Sequence, residues 1–128
     1  MKIIERLVIG SLLLCSVALA QEPNSYSYSG KWDATMVNNK GETRRGTVTL
    51  TDKDGIWDIN WLSARNPCAG MRSPIVIQRA SADELVFEIG RSKVLRGCKD
   101  NIVTLKRVSE TTLQGELDDG RKLTLVRK

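Results

Sequence analysis

The sequence predicts an all-β fold: a small antiparallel up-and-down barrel of about eight strands, pinned by one disulfide. Three observations predict it. Beyond residue 20, no stretch sustains an apolar period of 3.6, whereas period-two alternation recurs. Turn residues break the alternation every ~8–12 positions, the rhythm of a meander. Two cysteines stand in loops that such a meander carries to the same end.

The elements follow in order. Residues 30–37 form a first strand, with Trp32, Ala34 and Met36 on one face, ended by the turn Asn38-Asn39-Lys40-Gly41. Residues 43–51 form a second, with Val48 and Leu50 inward and Thr47, Thr49 and Thr51 outward. A turn at 52–55 leads to residues 56–62, which put Trp57, Ile59 and Trp61 on one face. A longer loop, 63–73, holds Cys68. Residues 74–79 and 84–89 are the fourth and fifth strands; Leu85, Phe87 and Ile89 share a face of the latter. A second long loop, 90–101, holds Cys98. Residues 102–107, 112–117 and 121–127 complete the set, the last two joined through Asp118-Asp119-Gly120, a strong hairpin signal. Closing the sheet removes exposed edges; the alternative is an open sandwich.

Parity tests the topology. In a meander, loops after odd-numbered strands share one end. Cys68 follows the third strand and Cys98 the fifth, so both fall together, as a bond between them requires. Such a bridge closes about 30 residues and stabilises by roughly 3–4 kcal/mol in the chain-entropy picture.

The first twenty residues are expected to be a signal peptide. Lys2 and Arg6 make a basic start, Leu7 to Ala20 is almost wholly apolar, and Ala18-Leu19-Ala20 is a small-x-small cleavage pattern. The apolar run, about 14 residues, is shorter than the ~20 needed to span a bilayer, so no transmembrane segment is expected after cleavage. A lipoprotein signal at Cys15 fits less well, because Leu14 stands where a small residue belongs. Residues 21–29 are polar and expected to be a flexible leading segment; the barrel domain is 30–128. Export implies a periplasmic or secreted protein, in which Cys68 and Cys98 oxidise.

Gly30-Lys31-Trp32 at the start of the first strand resembles the Gly-x-Trp opening of the lipocalin, avidin and fatty-acid-binding barrels. The resemblance implies a small up-and-down barrel and a basic residue late in the last strand packed on the Trp. Arg127 is placed to supply it by a guanidinium-on-indole contact. Asp33-Ala34-Thr35 departs from the avidin pattern after that Trp, so biotin binding is not carried over.

The chain has no His, and Lys plus Arg outnumber Asp plus Glu by 20 to 15. Serine and cysteine catalysis through imidazole, and His-ligated metals, are excluded. No phosphate loop or nucleophile motif is present, and nothing calls for a cofactor, so the expectation is a binding protein and not an enzyme. The odd-numbered loops gather Arg65, Arg72, Arg91, Lys93, Arg96 and Lys99, with Lys40, Arg44 and Arg45 nearby, partly offset by Glu42, Asp100, Asp118 and Asp119; the opposite end gathers Asp52, Asp54, Asp83, Glu84 and Glu110 against Lys53. Loop charge has a plain explanation in solvation. The sharper reading is an anionic or amphipathic ligand met at the basic end, or in an interior walled by Trp57 and Trp61. Nucleic acid is not expected, because those loops lack aromatics to stack bases. The alternative is an exported protein-binding module: an inhibitor, an immunity-type protein or an envelope assembly factor, held by pre-organised loops.

Overall fold

The computed structural model describes residues 26–59 and 66–128. The expected signal peptide, Trp61 and Arg65 lie outside the described residues. The strands are β1 (Gly30–Val37), β2 (Thr43–Leu50), β3 (Asp54–Ile59), β4 (Ser73–Ala80), β5 (Glu84–Ile89), β6 (Asn101–Arg107), β7 (Thr112–Leu117) and β8 (Lys122–Arg127). Each pairs antiparallel with its sequence neighbour, and β1 pairs with β8, closing the barrel. The open sandwich is therefore set aside. Among the described residues, no helix is long and apolar enough to cross a membrane.

Alternation builds the core. Trp32, Ala34 and Met36 face inward from β1, and Val48 and Leu50 from β2, with Val48 directly opposite Trp32. Trp57, Ile59, Ile75, Leu85, Phe87, Ile89, Val103, Leu105, Leu113, Leu117, Leu123 and Leu125 complete one contiguous cluster. Full burial of each large apolar side chain stabilises by roughly 1.5–3 kcal/mol, so this single row of inward positions carries most of the favourable free energy.

Two features differ from expectation. The β2–β3 turn starts one residue earlier and ends two earlier, where the Thr51 hydroxyl accepts the amides of Lys53 (3.2 Å) and Asp54 (3.1 Å) and Gly55 pairs with Leu50. The described part of the leading segment, residues 26–29, is packed. Tyr28 is buried and donates its hydroxyl to the Ser81 carbonyl (2.6 Å), and its own carbonyl accepts the Trp32 indole N–H (2.9 Å). Tyr side chains bury an apolar ring and still satisfy a polar tip, which lets this segment close over the core at one barrel end, leaving a surface cleft of about 410 Å³ between it and Thr51, Asp52, Ile77 and Ala80.

At that end the Arg127 guanidinium sits 4.3 Å from the Trp32 ring and donates to the carbonyls of Ser29 (2.8 Å) and Ser27 (2.7 Å). Gly30 is required there: its φ is +132°, and a Cβ would stand 3.2 Å from the Arg127 Nη1.

Candidate ligand site at the disulfide end

The odd-numbered loops do meet at one end. Cys68, after β3, is bonded to Cys98, after β5, with Cα atoms 5.6 Å apart. The β1–β2 and β7–β8 turns join them there, where the Asn39 amide donates to the Asp119 carbonyl at 3.4 Å. Between these loops lies a cleft of about 240 Å³, lined by Asn66, Cys68, Ala69, Arg91, Lys99, Asn101, Asp119 and Arg121.

Arg91 is the floor of this cleft. It opens a short 3₁₀ turn, Arg91–Lys93, directly after β5 and the buried Gly90, whose amide is tied to the Pro74 carbonyl (2.8 Å). That anchoring sends the Arg91 side chain over the barrel mouth. The residue is 5% exposed; its guanidinium lies 5.9 Å from the Trp57 ring and donates through Nη1 to the Asn101 Oδ1. No carboxylate contacts it among the described residues. Burial, and then the neighbouring Arg121 charge, push its pKa below the usual value for arginine. A guanidinium has five N–H donors, and Asn101 takes one of them.

The walls are held by ion pairs and turn hydrogen bonds. Asn101, also buried, donates to the Asp118 carboxylate (2.8 Å) and receives a long contact from Arg121 (3.5 Å). Arg121 is paired with Asp119 at 2.8 Å. Burial raises the Asp119 pKa, but the hydrogen bonds from Arg121 outweigh it and hold the carboxyl below its ordinary range. Asp100 caps the 3₁₀ turn by accepting both the amide and the hydroxyl of Ser92, each at 2.8 Å, and these bonds lower its pKa.

The residues expected at the site fall into separate places. Trp57 is buried core, tilted against Phe87 at 6.3 Å and roofed by Arg91. Trp61 and Arg65 are not described. Arg72 is exposed and reaches Asp58 at 3.6 Å. Lys93, Arg96 and Lys99 are exposed, and of these Lys99 lines the cleft. Arg91 corrects its reading as a surface cation: it is buried, because the 3₁₀ turn folds it back over the core. Trp32 and Arg127 meet as expected, at the other end. Asn101, Asp119 and Arg121 were missed as site residues. Parity alone could have found Arg121, which follows the last odd-numbered strand's turn.

The opposite end is less acidic than the loops suggested. Arg79 and Lys106 bridge Glu84 at 2.6 and 3.2 Å, and Arg107 reaches Glu110 at 2.7 Å. Cations at strand ends, outside the turns themselves, offset those carboxylates.

No protein-family model matches the chain, and no curated protein matches it. Among solved structures, a redesigned β-barrel is similar, with 21% identity and a TM-score of 0.51 over 78% of this chain and 90% of that one. That likeness shows the barrel fold.

Proposed function

We propose that the protein is an exported, non-enzymatic binding barrel that takes an anionic ligand in the cleft at its disulfide end. The observation that carries this reading is Arg91: a buried guanidinium facing a cleft, with no carboxylate in contact, flanked by Lys99 and Arg121. Asp119, Asp100 and Asp118 lie near enough to favour the Arg91 charge without touching it, and among the described residues only Asn101 accepts from the guanidinium, so an anion entering the cleft would take up donors that are left over. The tightly packed Trp32, Trp57 and Phe87 favour the barrel mouth over its interior as the ligand position. The Gly30-Lys31-Trp32 opening with Arg127 on the indole resembles that of lipocalin- and avidin-like barrels.

Calorimetric titration with inorganic phosphate tests the reading. The parent protein is expected to bind, with affinity falling as salt rises, because the Debye length shrinks from ~10 Å at 0.1 M to ~3 Å at 1 M. Arg91→Met should reduce phosphate affinity at least about tenfold yet leave folding stability nearly unchanged or higher, since a packed apolar residue removes the desolvation cost of a buried charge that no carboxylate contacts. A large fall in stability with phosphate binding retained would make Arg91 a structural plug and refute the proposal.

A further inference from the structure

Five large apolar side chains stand exposed among the described residues: Val76, Val94, Leu95, Val108 and Val126. Val94 and Leu95 are consecutive, 48% and 40% exposed, and lie within one turn of Arg91. The Leu95 amide is tied to the Arg91 carbonyl (3.0 Å), and the Leu95 carbonyl accepts the Cys98 amide (3.2 Å). The pair is therefore held out on a short, disulfide-anchored loop and does not fold inward. Lys93 and Arg96 flank it directly, Lys99 follows, and Arg72 stands exposed on the neighbouring loop. By contrast Val108, the most exposed of the five, sits beside the Arg107–Glu110 ion pair in a neutral setting.

Two apolar residues at a loop tip ringed by cations, next to a cleft floored by a buried guanidinium, match the chemistry of one surface. An anionic bilayer offers phosphates at the headgroup level and acyl chains just beneath. Basic residues near such a surface each strengthen binding roughly fivefold, and apolar side chains add to it by entering the headgroup–acyl boundary. We infer that the disulfide end docks on an anionic phospholipid bilayer, with a headgroup phosphate in the Arg91 cleft and Val94 and Leu95 in the lipid interface. This rests on the anion-binding reading of the same cleft and names the source of its anion. An acidic protein would satisfy the cations but gives no role to the paired Val94 and Leu95.

Co-sedimentation with vesicles, run beside a phosphate titration, separates the two claims. Vesicles of phosphatidylcholine containing phosphatidylglycerol should bind the parent at least about tenfold more tightly than phosphatidylcholine alone. Val94→Ser with Leu95→Ser, which adds no charge beside the cleft, should lower that binding about threefold through lost apolar burial at the interface, leaving phosphate affinity unchanged. If circular dichroism shows that variant unfolded, Val94→Asn with Leu95→Asn replaces it, with a similar fall expected. Phosphate bound normally while both vesicle types are ignored would overturn the lipid assignment alone. So would equal binding to the two vesicle types, vesicle binding unchanged in the variants, or polyglutamate bound as tightly as the anionic vesicles. A parent that binds neither phosphate nor vesicles would overturn both claims.

Discussion

Arg91 and Asp119 show how differently two charged residues of one cleft are treated. Asp119 has its partner: Arg121 grips it with Nε at 2.9 Å and Nη2 at 2.8 Å. Its folded pKa lies below its unfolded value, so it contributes stability fully present above ~3.9, the usual carboxyl value, and lost as pH falls through the lower folded value. Asp100, held by Ser92, acts in the same direction. Acid titration followed by amide exchange should therefore find the Ser92 and Arg121 amides losing protection below about pH 4, while core amides of β5 and β6 remain protected. Asp119→Asn should flatten the Arg121 part of that profile; unaltered protection at both amides through about pH 2 would refute the role of these carboxylates. Arg91 has no such partner, and this distinction was not legible in the chain. A loop Arg reads as solvated whether its backbone later turns outward or, through a 3₁₀ turn, inward. The Trp32–Arg127 contact was expected only through the resemblance of Gly30-Lys31-Trp32 to the opening of lipocalin, avidin and fatty-acid-binding barrels; strand alternation by itself does not mark it.

At the scale of elements, alternation located all eight strands, and the bounds moved by a residue or two where side chains intervened, as Thr51 does at the β2–β3 turn. What alternation does not carry is close contact between strands. Gly115 in β7 reads as an ordinary strand position, yet a Cβ there would stand 1.9 Å from the Thr104 carbonyl oxygen of β6. Glycine at that point lets neighbouring strands approach and the sheet bend. The disulfide was legible, since strand parity carries Cys68 and Cys98 to one end. Its bearing on the site follows from its location: it ties the β3–β4 loop, which gives Cys68 and Ala69 to the cleft, to the β5–β6 loop, which gives Arg91 and Lys99. Cys68→Ser with Cys98→Ser should lower stability by about 3 kcal/mol in the chain-entropy picture. The same variant, still folded, should bind phosphate more weakly, because the anion must then order two untied loops. Denaturant melts and titration read the two effects separately. A drop in stability with unchanged affinity would show that the bridge serves the fold alone.

Across the whole molecule, charge is distributed unevenly, but not as a simple dipole of basic and acidic ends. The turns of the Tyr28 end carry carboxylates, and Arg79, Lys106 and Arg107 pair with two of them. At the disulfide end, Asp119 is taken up by Arg121 and Asp100 by Ser92, while Lys93, Arg96 and Lys99 project into solvent. The molecule thus presents a near-neutral Tyr28 end and a basic open end. Long-range attraction to an anionic surface should act through the second, accelerating encounter and aligning the cleft before contact. Reversing Arg72 and Arg96 to Glu should slow association with phosphatidylglycerol-containing vesicles about tenfold or more at low salt, with little change in dissociation. Thermal stability should hardly move, since exposed pairs such as Arg72–Asp58 are worth about 0–1 kcal/mol. Reversing Asp52 and Asp83 to Lys on the Tyr28 end is the matched control. It raises the net positive charge, so any effect through net charge alone would quicken association, whereas an oriented approach through the open end leaves it nearly unchanged. Stopped-flow rates for both variants across a salt series distinguish these cases. Equal and opposite changes from the two ends would mean that net charge governs the encounter, and would remove the open end from its steering role.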